Sequence, residues 1–500
     1  MGHPRARESP VTSSRDVDID VEILGRQRPP AFPSLWSELR FCFALLGSIL
    51  MAEFFVSGFH IVLPPLIDEL DIPRTSQTWP SSVFSLITGA FLLPFGRLGD
   101  MYGGYLVFNI GLAWVAVWSL IAAFLPGGIM ILGKIYRPGP RKNLVFALCG
   151  AFAPLGFFIG ILMGGIAAGF LTWSWYFWFG AIFLTIILAV SCLTVPFDLH
   201  DKRPGDIRMD WWGVGTIVPG LLLIIYAITN SSHAPQGWAS PQIIVTLVLG
   251  VVLLVAAYFV EGRVATNPLL PADLFAPKYM KRLVTALFLS YGTFGIFLFY
   301  SSFYIELVLH VSPLLTAVWY IPMIVGGLII GTVGGFTLHH LPGRVLLVIS
   351  GASFLACVLF FALMPEDPNY WAFIFPAMIC ATVGIDITYT VSNIFITNNL
   401  PGYRQGLAGA LINSLLFLGI SFFLGIADIV VGETGHLGMR KSYQAAFWLG
   451  VGLTGCALVL YVFVKIGSAK SDLTIEEREQ LEAEARRVRD MELEDGRSGS

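Results

Sequence analysis

The chain has 500 residues, of which 56% are hydrophobic and 13% are charged. Because soluble globular proteins carry about 25% charged residues, this composition excludes an ordinary soluble domain and indicates a membrane protein. The formal net charge of −3 says little about partners in such a chain. The six cysteines all fall inside apolar segments without disulfide or metal-binding spacing, so we expect small hydrophobic residues and no metal site.

Thirteen long apolar runs follow one another along the sequence. They cover residues 41–66, 80–96, 105–133, 144–170, 176–196, 211–229, 242–260, 283–308, 314–338, 344–364, 371–396, 406–431 and 443–466. A helix needs about 20 apolar residues to cross a hydrocarbon core of roughly 30 Å, whereas a barrel shows shorter, alternating segments. The runs therefore predict an all-α polytopic membrane protein.

The distribution of lysine and arginine predicts which loops face the cytoplasm. Both tails are rich in these residues, so both are expected to be cytoplasmic, which requires an even number of spans. If run 105–133 counts as two crossings, the predicted inner loops hold fourteen basic residues and the outer loops hold three. The charges therefore favour two crossings, although the 29 residues of this run supply only one crossing and a fragment.

The break in this run lies near residues 124–128, which read Phe-Leu-Pro-Gly-Gly. Two interpretations remain open: a re-entrant half-helix, tolerated in a membrane only where protein or water surrounds it, or a helix of which part is missing. Residues 128–135 also approach the phosphate-loop pattern GxxxxGK[ST]. Ile135 cannot ligate magnesium, however, so we expect no nucleotide to bind.

A glycine-rich segment follows the second run and contains Gly96, Arg97, Leu98, Asp100 and Gly103. Glycines let helix ends approach closely, and an aspartate there can accept hydrogen bonds from free backbone N–H groups. In isolation the segment is an ordinary turn. The pattern resembles G-x-L-x-D-x-x-G, the gating loop between spans two and three of the major facilitator superfamily, although the basic residues that follow the aspartate in that family are absent.

A second glycine motif lies in run 144–170 and consists of Gly156, Gly160, Gly164 and Gly165. Glycines at four-residue spacing give a flat helix face for close packing, and generic helix packing is one explanation. The arrangement also resembles the span-five antiporter motif of the same superfamily, G-x-x-x-G-P-x-x-G-G, with Ile161 in place of the proline. That motif marks exporters, so the resemblance implies export, and the missing proline keeps uptake open.

Three further segments narrow the resemblance. They are Trp173-Ser174-Trp175, Asp210-Trp211-Trp212-Gly213 and Asn267-Pro268-Leu269-Leu270-Pro271. Together they resemble the fourteen-span drug:proton antiporter family, especially its fungal members, which implies a major facilitator fold with two extra spans between two six-span halves. The implied divisions are a cytoplasmic tail 1–40, an N-terminal bundle 41–196 that is incomplete at 121–133, two linker spans 211–260, a C-terminal bundle 283–466 and a cytoplasmic tail 467–500.

The same resemblance bears on the short run 105–133. The fourth span of the family begins with an Arg-x-x-x-Gly-x-Gly segment. This chain instead passes from residues that resemble the end of span three to residues that resemble the end of span four. The resemblance therefore implies that fourteen spans are expected and that the fourth is truncated.

Ionisable side chains within the runs are candidates for function, because each costs roughly 3 kcal/mol at mid-bilayer. Glu53 and His60 are seven residues apart, about two helical turns, and therefore share a helix face. Asp386 lies in the middle of a later run. We predict that Glu53, Asp386 and His60 couple transport to protons. The alternative for each carboxylate is a structural hydrogen bond, which Thr388 or Thr390 could supply to Asp386.

Other polar residues in or near the runs are weaker candidates. Asn393 and Asn413 could line a substrate cavity, although bonding between helices is the commoner role of such side chains. Glu306 and Asp428 fall near outer helix ends and are expected to be solvated. Asn230 begins an N-glycosylation sequon in a predicted outer loop that lies close to the membrane.

Together these features predict a secondary active transporter and not an enzyme. We expect proton-coupled efflux of small organic compounds across a fungal plasma membrane, by alternating access to a cavity at the bilayer midplane. The expected partners are lipid, a small-molecule substrate and protons, with no nucleic acid, nucleotide or cofactor. Two alternatives remain: uptake of a small nutrient or ion, and a non-transporting sensor or inactive product that lacks a helix.

Overall fold

The computed structural model describes residues 32, 34–69, 78–102, 107–113, 140–172, 174–194, 209–232, 234–265, 268–337, 341–398 and 405–464. Most of these residues are helical. The helices are α1 (Leu35–Glu69), α2 (Trp79–Tyr102), α3 (107–113), α4 (Pro140–Phe170), α5 (Ser174–Thr194), α6 (Trp211–Ser231), α7 (Pro241–Phe259), α8 (Met280–Phe303), α9 (Pro313–Trp319), α10 (Ile321–Thr337), α11 (Gly343–Ala362), α12 (Ile374–Asn398), α13 (Gln405–Glu433) and α14 (Met439–Phe463).

The helices coincide with the apolar runs. Within the described ranges, eleven helical spans are long and apolar enough to cross a membrane, and α9 and α10 together form one of them. Helix α4 contributes a shorter apolar segment, Leu155–Phe170, and helical residues 107–113 begin run 105–133. The all-α polytopic prediction is confirmed. The fourteenth span remains a prediction, because most of run 105–133 and both tails lie outside the described residues.

Helices α1 and α4 run parallel to each other with their backbones in direct contact. A Cβ atom built on Gly156 would lie 2.3 Å from the carbonyl oxygen of Leu50, and one built on Gly160 would lie 2.4 Å from that of Phe54. A Cβ atom on Gly164 would lie 2.7 Å from the carbonyl oxygen of Gly58. The contacts advance together along both helices, so the two helices begin at the same face, which is called the inner face below.

This direction bears on the problem posed by run 105–133. Helix α2 follows α1 after a short connection and therefore begins at the outer face, so its last residue, Tyr102, lies at the inner face. Pro140 begins α4 and also lies at the inner face. A single crossing between these two residues would place them at opposite faces. Most of the run lies outside the described residues, and its two interpretations remain open.

The second half of the chain repeats the arrangement of the first. Helix α8 packs against α13, with Gly295 against Ile420 and Gly292 against Phe423. The two helices run in the same direction because three spans separate them along the chain. Helix α14 runs antiparallel to α8, because Ser290 bonds Tyr461 while Thr293 bonds Thr454. In the first half, α5 runs antiparallel to α1 in the same way. The two halves are therefore parallel repeats of one packing unit.

The halves meet along two seams. At the first seam, α2 packs antiparallel to α13, with the Ser82 and Ser421 hydroxyl oxygens 3.2 Å apart and Gly89 against Leu418. At the second, the outer end of α4 packs on α9, where a Cβ atom on Gly165 would lie 3.0 Å from the Cβ atom of Ala317. This contact of Gly165 with α9 is called the outer gate below.

The predicted linker spans are α6 and α7, which pack against each other through Gly220 and Gly250. Asp210 caps α6, because its side chain accepts a hydrogen bond of 2.9 Å from the backbone N–H of Gly213. Glu261, just beyond α7, accepts hydrogen bonds from the backbone N–H groups of Leu269 and Leu270. The Asp210 segment thus caps the start of α6, and the segment that contains Leu269 and Leu270 is held at the end of α7. Both segments carried the resemblance in the sequence.

The α1–α4 contact predicts the effect of adding one methyl group. In Gly160→Ala the new Cβ atom would meet Ser57 Oγ at 2.3 Å and the Phe54 carbonyl oxygen at 2.4 Å, so the helices must separate. We expect a loss of about 1–3 kcal/mol in stability, seen as a lower melting temperature of the detergent-purified protein.

The matched control is Gly452→Ala in α14, where a Cβ atom would meet no atom within 4 Å. Alanine favours a helix over glycine by about 0.5–1 kcal/mol, so this variant should melt at the same temperature as the parent or slightly higher. Equal melting of both variants would contradict the packing described above.

Candidate functional site

The candidate site lies between the halves and contains Glu53 near the middle of α1 and Asp386 in the middle of α12. Both side chains are partly exposed, whereas Phe54 and Phe55 next to Glu53 are buried. The carboxyl groups of Glu53 and Asp386 are close enough for their charges to interact electrostatically. The structure thus brings together two of the three predicted proton-coupling residues, one from each half.

The position of Glu53 is fixed by the backbone around it. The Ser57 hydroxyl contacts two carbonyl oxygens at 2.8 Å, those of Glu53 on its own helix and Phe157 on α4. The fully buried Tyr176 of α5 donates a 2.6 Å hydrogen bond to the carbonyl oxygen of Phe54. None of these three bonds uses the Glu53 carboxyl group.

Asp386 has one hydrogen-bond donor in its own helix. The Thr382 hydroxyl donates to Asp386 Oδ2 at 2.8 Å, one turn before the carboxylate. The expectation that Thr388 or Thr390 would supply this bond is wrong for Thr388, because its hydroxyl bonds Ser350 at 2.8 Å instead. One short bond leaves further oxygen lone pairs of Asp386 available to a proton or a substrate.

His60 lies two turns beyond Glu53 on the same face of α1, as predicted. Its ring makes an edge-on contact with Phe299 of α8, with the ring centroids 6.0 Å apart. Its Nδ1 atom is buried, with no hydrogen-bond partner in the described part of the chain. The face that carries Glu53 and His60 is therefore directed at the second half and not at lipid.

The two predicted cavity asparagines differ in their placement. Asn393 is partly exposed and lies seven residues after Asp386, on the same face of α12. Asn413 is only 1% exposed, donates to the Gly409 carbonyl oxygen at 2.9 Å and accepts a long bond of 3.5 Å from the Tyr389 hydroxyl. This burial between α12 and α13 matches helix–helix bonding, so we do not assign Asn413 to the cavity.

The glycine motif of α4 has two functions in packing. Gly156, Gly160 and Gly164 contact α1, as their spacing predicts. Gly165, one residue further along α4, lies on a different helix face and contacts Leu314 and Ala317 at the outer gate. Glycine spacing alone does not predict this division, because the partner helix of Gly165 belongs to the other half.

The predicted gating loop is helical over most of its length. Helix α2 extends to Tyr102, so Gly96, Arg97, Leu98 and Asp100 lie in its last turns, while Gly103 lies outside the described residues. The interpretation of these four residues as a loop is therefore wrong. The glycines therefore do not end the helix.

The remaining predicted candidates lie at the outer ends of helices. Asn230 is in the last turn of α6, where its side-chain amide donates to the Tyr226 hydroxyl at 2.9 Å. Glycosylation at Asn230 remains a prediction. Asp428 was expected to be solvated and is instead 8% exposed, accepting a hydrogen bond of 3.2 Å from Ser232. That expectation is wrong because α6 packs over the outer end of α13.

Comparison with known proteins agrees with this architecture. The family model of the Major Facilitator Superfamily matches residues 45–424. The chain therefore belongs to the major facilitator superfamily, whose members are transporters and not enzymes.

The curated relatives of this chain include fungal transporters. "Efflux pump terJ" of Aspergillus terreus is 30% identical, with 92% of this chain and 93% of that protein aligned. The "Low affinity ammonium transporter" of Saccharomyces cerevisiae is 29% identical over 76% of this chain and 79% of that protein. Among solved structures, the human organic anion transporter MFSD10 matches 85% of this chain and all of its own, with a TM-score of 0.55 and 16% identity, which supports the fold alone.

The outer gate can be tested by cross-linking. In a cysteine-free background, Gly165→Cys with Ala317→Cys should form a disulfide, because the two Cβ atoms would lie 3.0 Å apart, near the range that a disulfide requires. With a protease site inserted between residues 195 and 208, the halves should stay together on a non-reducing gel after cleavage. The pair Gly165→Cys with Gly452→Cys also spans the cleavage site, but a Cβ atom on Gly452 would meet no atom within 4 Å, so this pair should separate. Separation of both pairs would refute the closed outer gate.

Proposed function

We propose that this protein is a proton-coupled exporter of small organic compounds that works by alternating access at the plasma membrane, with both tails cytoplasmic. The observation that carries the proposal is the pair Glu53 and Asp386, which approach each other from opposite halves at mid-depth. Membership of the superfamily and the similarity to a fungal efflux pump support it.

The chemistry of the pair follows from its charge. Two carboxylates that face one cavity repel each other, and either a bound proton or a cationic group of a substrate relieves this repulsion. Proton and substrate therefore compete for the same site, which is the condition for exchange of one for the other. Because the two carboxylates belong to different halves, their repulsion also opposes the approach of the halves at this site.

Closure of the outer gate in this structure leaves the inner side as the route to the site. A compound would enter from the inner face, displace the proton and leave at the outer face when the halves rock about the seams. A proton from outside would then return the transporter to its starting state. Proton movement down its gradient thus drives export.

Neutral variants test this role. In Glu53→Gln and Asp386→Asn the repulsion and the titratable group are lost, while the shape of each side chain is kept. We expect the initial efflux rate of an exported compound to fall by about tenfold or more, a change of about 1.4 kcal/mol in the barrier. The measurement is efflux from preloaded yeast cells, with and without an uncoupler, for a permeant cationic dye and a neutral triazole.

The controls are Glu433→Gln and Asp367→Asn, which make the same changes at exposed positions of the outer surface. Both should export like the parent at unchanged protein levels. Efflux that resists the uncoupler, or that survives in both site variants, would contradict the proton-coupled mechanism. An unchanged content of every compound tested would favour the inactive or sensor alternative.

Uptake of a small nutrient or ion is the second candidate, favoured by the similarity to the low-affinity ammonium transporter. The same carboxylate pair could bind a small cation whose uptake is driven by the inward proton gradient. Radiolabelled methylammonium distinguishes the two directions: accumulation that requires this protein and an inward proton gradient favours uptake, and its absence alongside dye efflux favours export.

A further inference from the structure

Glu306 is a buried carboxyl group that the mechanism above does not use. It lies in the π-helical turn Tyr304–Val308, which continues α8 at the outer face. The side chain is 9% exposed, and its Oε1 atom is buried with no hydrogen-bond partner among the residues the structure describes. The expectation of a solvated residue is therefore wrong, because α9 and α14 pack against this turn.

The groups around Glu306 leave it without a counter-ion in the described structure. The titratable and charged side chains at the outer ends of the elements around it are Tyr300, Tyr304, His310, Tyr320, Arg440, Lys441 and Tyr443. Arg440 is already bound to Glu366 at 2.9 Å, and its Nε donates to the Tyr304 hydroxyl at 3.3 Å. Lys441 and His310 are exposed.

Tyr320 connects Glu306 to the outer gate. Its ring is 1% exposed, its hydroxyl bonds Ser301, and it is close enough to Glu306 for an electrostatic interaction. Tyr320 follows α9 directly and lies three residues after Ala317, which contacts Gly165 of the other half. A single apolar cluster joins Tyr320 and Tyr304 to Ile61 and Leu63 of α1. Glu306 thus lies just behind the contact that closes the outer face.

We propose that Glu306 is a second proton-binding site of this transporter, loaded from the outer face and separate from Glu53 and Asp386. A proton from the outer water binds one carboxylate oxygen, and no other bond changes. With the gate closed, a charged Glu306 has neither water nor a partner cation, which is costly in the membrane interior. The neutral acid therefore favours the closed gate, and the carboxylate favours the open gate, which admits water.

Exposure of the gate to a membrane-impermeant maleimide tests this proposal. Ala317→Cys in a cysteine-free background should react slowly at acidic outer pH and faster at alkaline outer pH, as Glu306 loses its proton. Each rate is divided by the rate at Leu437→Cys, an exposed outer position, which corrects for the pH dependence of thiol reactivity. We expect the corrected rate to rise by about tenfold across the titration.

Variants of Glu306 assign the effect to this side chain. Glu306→Gln should give a low corrected rate that does not change with pH, whereas Glu306→Asp should keep the dependence because it keeps a titratable group. Glu433→Gln, the same change at an exposed outer glutamate, should behave like the parent.

Two results would overturn the proposal: a pH-independent corrected rate in the parent, or pH dependence that survives in Glu306→Gln. If Glu306→Gln is not recovered as a folded protein, Glu306→Leu, which also removes the titratable group, takes its place and should likewise give a corrected rate that does not change with pH. The assay needs no transported compound, so its outcome is separate from that of the efflux measurements.

Discussion

Direct contact between the backbones of α1 and α4 is the constraint on which the first half depends. No side chain separates Gly58 from Gly160, and at the other contacts a glycine of α4 lies directly against the backbone of Leu50 or Phe54. Attraction between membrane helices comes from such close packing and not from exclusion of water, because lipid is as apolar as the helix surface. The register of this contact sets the depth of Glu53 and turns its face toward the second half.

Contacts within each half and contacts between the halves differ in kind. Within the halves, glycines bring backbones together over several turns. Between the halves, the contacts along α2 and α13 are as extensive and include the hydroxyl groups of Ser82 and Ser421, while the small residues Gly165 and Ala317 meet at the other seam. Polar bonds between membrane helices contribute only about 0.6–2 kcal/mol each. Alternating access would therefore exchange many individually weak contacts at these seams for others.

Much of the fold and part of the site could be predicted from the sequence. Apolar length predicted the spans, glycine spacing predicted one face of α4, and the cost of burying charge singled out Glu53 and Asp386. The sequence did not show that these two acids face each other, because that depends on how α1 and α12 are brought together by distant parts of the chain.

The errors have a shared physical origin. Glu306 and Asp428 were expected to be solvated because they lie near helix ends, but neighbouring helices extend past those ends and cover them. Gly96 was assigned to a loop because its segment resembles a gating loop, but α2 continues through it to Tyr102; the penalty for glycine inside a helix is only about 1 kcal/mol. The environment of each of these residues depends on contacts between segments far apart in sequence, and local sequence patterns do not predict such contacts.

The linker helices make the outer parts of the two seams differ in the surface that each presents to the bilayer. Thr229 of α6 contacts both Ser82 of the first half and Gly425 of the second, so α6 lies over the outer part of the α2–α13 seam. The α9–α10 span of the other seam carries Ile329, which is 55% exposed. The linker helices therefore cover the outer part of one seam, and the surface that a bilayer would meet differs between the two flanks of the protein.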